Sequence, residues 1–196
     1  MKTKDPSFEE FPKPLSIVLF DTETTGLLQP IDAPMESQPK ITELYMVKIN
    51  QDFKMLDEYN QMFSVGEPLT EEVSRITGIT DSDLKGKPAF KEQIPLMREF
   101  LKNVDLLVAH NLAFDLGMLD VEFKRAEKEF PRMPHNCCTV LSTMGMTGHR
   151  LSLSRLHWML FQKQFNAHRA KDDVFALVRC FHELTEKGVI DLEEFK

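Results

Sequence analysis

At 196 residues, 42% hydrophobic and 28% charged, the chain has the makeup of one globular domain around one substantial core. A formal net charge of −7 weighs against a broad basic surface that coats nucleic acid nonspecifically. No apolar run reaches the length of a membrane span, and the three cysteines form neither a disulfide framework nor a CxxC motif. The opening MKTKDPSFEEF soon turns acidic and lacks an apolar segment, so no signal peptide is expected and a reducing, cytoplasmic location fits.

Residues 1–14, with Pro6, Pro12 and Pro14, read as a flexible N-terminal arm, and 15–196 as a single domain. Leu15 to Phe20 are nearly all apolar and predict a buried strand. The segment from Gly26 to Lys40 holds Pro30, Pro34 and Pro39 and predicts a long loop, functional or mobile. ITELYMVKIN (41–50) and EYNQMFSV (58–65) read as two further strands. Thr70 caps a short helix that stops at Gly78, and 89–102 repeat at helical spacing with Pro95 expected to bend or shorten the helix. DLLVAH (105–110) is a short buried strand, after which Leu112, Leu116, Leu119 and Phe123 mark a helix face. CCTVLSTM (137–144) reads as a strand before a turn at Gly145 and Gly148. LSLSRLHWML gives a helix with Leu153, Leu156, Met159 and Leu160 inward, and a last helix runs from about Ala170 to Lys187. This order predicts an α/β domain with a mixed central sheet.

The chemistry lies in carboxylates at element ends. In FDTETTG, Asp21 and Glu23 are two apart and share a face if the strand continues past Phe20. An acidic strand end is, taken alone, also an ordinary solvated turn. LLVAHNLAFD repeats the arrangement, with His110, Asn111 and Asp115 where a second buried strand meets a helix. Asn111 serves equally as an N-cap, and Asp115 as a charge at a helix N-terminus. Ligands nevertheless gather at such strand ends in open α/β sheets. In NAHRAKDDVFALVRCFHEL, Asp173 falls at the edge of the apolar arc of Val174, Leu177, Val178, Cys180, Phe181 and Leu184. Asp172 points away, beside Arg179 and Glu183. A carboxylate phased toward a core needs compensation, from a backbone donor or from a ligand. His168 is rotated about 140° from Asp173 on a continuous helix and fits better on the lead-in segment. His135, His149, His157 and His182 have surface, packing or loop roles. No zinc spacing and no phosphate-binding glycine loop is present. Trp158 and most phenylalanines read as core by the same periodicity, with one or two open to stacking on a base.

These pieces resemble the DnaQ-like 3′–5′ exonucleases, the DEDD superfamily in its histidine subtype. FDTETTG matches the first motif, AHNLAFD the second and HRAKDD the third. PLTEEVSRITGITDSDL and HRLSLSRLHWML also resemble the family's connecting segments, so the likeness runs from about residue 15 to 185. It implies a ribonuclease H-like fold, a five-stranded mixed sheet flanked by helices. It implies hydrolysis at a free 3′ end with release of nucleoside 5′-monophosphates, using two Mg²⁺ or Mn²⁺ ions. Asp21, Glu23, Asp115 and Asp173 are the implied ligands, and His168 the implied base, a task that requires its neutral form. Thr24, Thr25, Gly26, Leu27, Asn111 and Phe114 are the residues implied to grip the terminal nucleotide. The partner implied is single-stranded DNA or a frayed duplex end. Polymerase association also fits, although no attachment tail is recognised. An exoribonuclease trimming RNA or short oligonucleotides shares the same scaffold, and a noncatalytic nucleic-acid-binding or polymerase-associated module is the third reading. The proline-containing 27–40 loop departs from the compact connection usual in the family and bears on substrate shape.

Overall fold

A computed structural model describes residues 14–196, so the expected arm lies outside the described residues except for Pro14. Five strands form one sheet in the order β3-β2-β1-β4-β5. They are β1 (Ser16–Thr24), β2 (Ile41–Asn50), β3 (Met55–Met62), β4 (Leu106–Ala109) and β5 (His135–Cys138). The first three are antiparallel neighbours, whereas β4 and β5 add in parallel on the other side of β1. The helices are α1 (Glu71–Thr77), α2 (Asp81–Leu84), α3 (Phe90–Phe100), α4 (Leu112–Arg125), α5 (Thr139–Thr147), α6 (Leu153–Phe161) and α7 (Ala170–Glu186).

The centre of the sheet positions everything else. Alternate residues of β1 enter different cores. Ile17 and Leu19 join Tyr45, Val47 and Ile49 against α6 and α7. Val18 and Phe20 join Leu44 and Met46 against α3 and α4. A strand covered on both faces has to be apolar throughout, as Leu15 to Phe20 nearly are. The same alternation continues past Phe20, because β1 runs on to Thr24 and stays paired with β2.

Several expectations shift. The third strand begins and ends three residues earlier than 58–65, as the exposed edge of the sheet. CCTVLSTM is not a strand: only Cys137 and Cys138 pair with β4, and Thr139 begins α5. Thr139 and Thr143, four apart, are both buried, and the Thr143 hydroxyl donates to the Thr139 carbonyl at 2.8 Å. Helical packing overrides the β-branched composition there. The helix 89–102 is shortened to Phe90–Phe100 but passes through Pro95. Trp158 is 39% exposed rather than core.

The 27–40 segment is tied down. Thr25 N–H donates to the Lys40 carbonyl and Lys40 N–H to the Thr25 hydroxyl, both at 2.9 Å, so the loop's ends are stapled together. Inside it, the Gln38 side chain accepts from Gln29 N–H and donates to the Pro30 carbonyl. Arg125 of α4 donates to the Gln38 and Pro39 carbonyls. Leu28 lies over Gly117, where an added Cβ would stand 2.6 Å from its Cδ1.

Candidate active site

Asp21 and Glu23 occupy the β1 phase of Ile17 and Leu19, and so face α7. Asp173, in the first turn of α7, meets them from the opposite layer. One carboxylate oxygen from each of the three lies within 4.8 Å of the others. Asp172 stays out of this cluster and accepts from the Asn166 side chain at 3.3 Å. Thr22 has the opposite phase and faces α4, where its N–H and hydroxyl both donate to Asp115 Oδ1, at 3.1 and 2.8 Å. Asp115 is therefore buried beside the three-carboxylate cluster, with one oxygen engaged by β1.

Burial and crowding leave this charge poorly compensated. Glu23 is pushed up to about 8, by burial first and then by the charges of Asp173, Glu43 and Asp115. Burial, then Asp115 and the other carboxylates, holds Asp21 well above its usual range. Asp115 rises to about 7 through burial, against the lowering effect of its Thr22 bonds. Asp173 is also raised by burial, partly offset by its backbone hydrogen bonds. A divalent cation relieves this repulsion, and a donor set made only of carboxylate oxygens suits a hard ion. Divalent metals serve exonucleases of this kind, and the cluster fits one.

The chain turns sharply as it enters α7. His168 is exposed and has a left-handed backbone, φ 70°. Its N–H donates to Asp173 Oδ2 at 2.7 Å, and Arg169 N–H donates to the same oxygen at 3.1 Å. Asp173 thus satisfies helix-terminal amides as well as facing the cluster. The expected placement of His168 on a lead-in segment, off the helix, is what the chain adopts.

Glu43 escapes a reading of the sequence. It sits on β2 directly across from Glu23 and is buried. Arg169 reaches it with two donors at 3.3 Å, and Ala170 N–H also points to it at 3.3 Å. The pair of facing carboxylates is a repulsive arrangement that the guanidinium moderates. Glu43 shares the phase of Tyr45, Val47 and Ile49, which is the kind of signal that singles out Asp173 on its helix.

Beside Glu23 lies a cleft of about 530 Å³, lined by Thr24, Thr25, Gly26 and Leu27 and, across from them, by α1. Val73 and Ile76 supply its apolar wall, and the sequence does not mark either one. Leu27 is 76% exposed at its mouth. Asn111 and Phe114 do not line this cleft. Asn111 occupies the N-cap position of α4 without a side-chain capping bond, and Phe114 packs toward the α3–α4 core. His110 is buried between the Thr139 hydroxyl (2.9 Å) and the Leu151 carbonyl (2.8 Å), a structural tie.

Comparison with known proteins gives the family and the fold. A family model described as Exonuclease, RNase_T, matches residues 18–181. The PolC-type DNA polymerase III of Thermotoga petrophila is 30% identical over 98% of this chain, which spans only 13% of that relative's length. The nuclease domain of 3′hExo, a DEDDh family member bound to rAMP, superposes with a TM-score of 0.73 at 15% identity, covering 91% of this chain and 95% of that one. Exonuclease X in complex with 5′ overhanging duplex DNA gives 0.64 at 20% identity, covering 91% and 96%. The five-stranded mixed sheet with its flanking helices is the ribonuclease H-like fold of these exonucleases.

Proposed function

The chain belongs to the RNase_T family of exonucleases, and from that membership we propose that it hydrolyses DNA from the 3′ end, releasing nucleoside 5′-monophosphates. The observation that carries the proposal is the convergence of Asp21, Glu23 and Asp173 next to an open cleft, with His168 bonded to Asp173. Two Mg²⁺ or Mn²⁺ ions held by these three carboxylates and Asp115 would supply water activation and charge stabilisation.

Around that centre each side chain has a task. His168 takes the proton from the attacking water, and its exposed ring on a turn can swing to the reacting atoms. Asp173 holds the His168 and Arg169 amides, so the turn that carries the base is fixed to a ligand. The terminal nucleotide lies in the cleft, its base and sugar against Leu27, Val73 and Ile76. Thr24 and Thr25 spend their hydroxyls on Gly26 and Lys40, so they act by shaping the turn that presents the backbone. Asn111 and Phe114 meet substrate only outside this cleft.

DNA is favoured by the PolC-type relative, and the same likeness supports work in proofreading, repair or turnover beside a DNA polymerase. RNA trimming is the second reading, favoured by the rAMP-bound structural neighbour. A cytoplasmic setting suits the three free cysteines, and no helix among the described residues is long and apolar enough to cross a membrane. The proposal is tested with a 5′-labelled single strand of DNA. Metal-stripped protein should leave it intact, and Mg²⁺ or Mn²⁺ should restore a ladder shortening from the 3′ end. Internal cuts alone, or degradation unaffected by a 3′ block, would overturn the polarity. Faster digestion of the matching RNA would move the assignment to the second reading.

A further inference from the structure

In a chain of net charge −7, residues 130–171 contain no aspartate or glutamate. Six cations fall in that stretch: Arg132, Arg150, Arg155, Lys163, Arg169 and Lys171. Three are engaged, Arg132 with Asp120, Arg169 with Glu43 and Lys171 with Glu58. Arg150, Arg155 and Lys163 are exposed and form no ion pair among the described residues. Arg155 lines a cleft with Ser152, Ser154, Trp158, Gln164 and Phe165, and Arg150 and Lys163 flank those lining residues along the chain. The Arg155 guanidinium lies over the Trp158 ring, 4.7 Å from its centre, on the outward face of α6.

This segment is fastened at both ends to the margins of the carboxylate site. At its start, the Leu151 carbonyl accepts from His110 Nε2 at 2.8 Å, just past the end of β4 and five residues before Asp115. At its end, the His168 and Arg169 amides donate to Asp173. The stretch of chain that builds the cleft therefore starts from a tie to the β4–α4 junction that leads into Asp115 and ends on Asp173 itself.

We propose that this α6 cleft is the track for the single-stranded DNA that lies 5′ of the scissile bond, with Trp158 stacking on a base and Arg150, Arg155 and Lys163 taking backbone phosphates. The inference rests on the nuclease reading above. A polyanion approaching a chain of net negative charge needs a local positive path. Alternating bases and phosphates call for an aromatic face among cations, which is the pattern present. The terminal nucleotide sits elsewhere, in the β1–α1 cleft, so the two sites divide the strand between them.

The test is the dependence of kcat/KM on substrate length, using 5′-labelled dT2 and dT12 in Mg²⁺. The wild-type protein should prefer dT12. Arg155→Glu and Trp158→Ala should each lower kcat/KM on dT12 by about 10-fold and leave dT2 within about twofold. Lys163→Glu, on an exposed coil position, should do the same at smaller amplitude and guards against a folding defect in α6. The slope of log kcat/KM against log salt on dT12 should become shallower by about 0.7 for each phosphate that a variant no longer neutralises. Equal losses on both lengths, or none on dT12, would overturn the track while leaving the nuclease reading intact. A wild-type protein inert on both substrates would overturn that reading and the track with it.

Discussion

The carboxylate cluster and the turn that carries His168 lie side by side but are held in opposite ways. Asp21 and Glu23 are set by the register of the central strand, which pairs with β4 as far as Leu19 and with β2 on through Asp21 and Glu23, and Asp173 by the first turn of a long helix packed into the core. His168 has no regular element around it, an exposed ring and a left-handed backbone. Charges that must hold a cation at fixed separations belong on rigid elements, because misplacement weakens every interaction at once. The proposed role of His168, to approach, take a proton and withdraw, suits a turn.

The largest expected effect breaks the rigid side. Asp173→Asn keeps an amide-accepting oxygen and the side-chain size but removes a negative charge from the cluster proposed to hold metal, and activity should fall by ~10²-fold or more. Asp172→Asn should stay within about twofold, since that side chain stands outside the cluster and such substitutions usually perturb little. Parallel rate measurements check the pair. An inactive Asp172→Asn beside an active Asp173→Asn would reverse the assignment.

The turn should respond differently. His168→Ala and His168→Gly should both lose about 10²-fold in rate, while metal binding measured by calorimetry stays close to wild type. Their stabilities should separate. A left-handed backbone costs an L-residue roughly 1 kcal/mol that glycine avoids, so the glycine variant should melt several degrees above the alanine one. Equal melting temperatures would mean that the turn carries no such strain.

A further test sharpens the contrast through pH. The folded-state values of Glu23, near 8, and Asp115, near 7, exceed those of unfolded carboxylates. Between about pH 4.5 and those values the folded protein binds more protons than the unfolded chain, so stability falls as pH rises. Metal-stripped protein should therefore lose on the order of 10 °C in Tm from about pH 5.5 to 8. Added Mg²⁺ should restore more at the alkaline end of that interval than at the acid end, because it competes with protons for the same oxygens. Glu43→Gln removes one of the charges that raise Glu23 and should flatten the fall. A Tm of the metal-free protein that rises over this interval would contradict the electrostatics of the cluster.

Much of this is legible in the residues wherever one periodicity rules. The unbroken apolar run of β1 and the phase of Asp173 on α7 both follow from counting by two or by 3.6. Legibility fails where a short element takes its form from its neighbours. Cys137 to Thr143 is rich in β-branched residues, yet only two of its positions have a partner strand, and the buried threonines complete a helix instead. Trp158 and the phenylalanines read mostly as core by periodicity, with stacking on a base left open for one or two, whereas the Trp158 ring lies outward beneath Arg155. Val73 and Ile76 need the tertiary fold, since nothing in α1 alone says that it closes over the end of β1.

The stapled loop between Thr25 and Lys40 makes this scaffold open to change. Its two ends are joined to each other before the chain departs, and β1 and β2 keep their pairing on the near side of that joint. Insertions beyond the joint alter only a closed excursion, and doubling its length costs about 0.6 kcal/mol in closure entropy. The excursion rests on α4 through Leu28 and Arg125, close to the turn that presents Leu27 to the cleft beside Glu23. A lineage, or an engineer, can therefore exchange the whole excursion to reshape what approaches the cleft while the carboxylates keep their places.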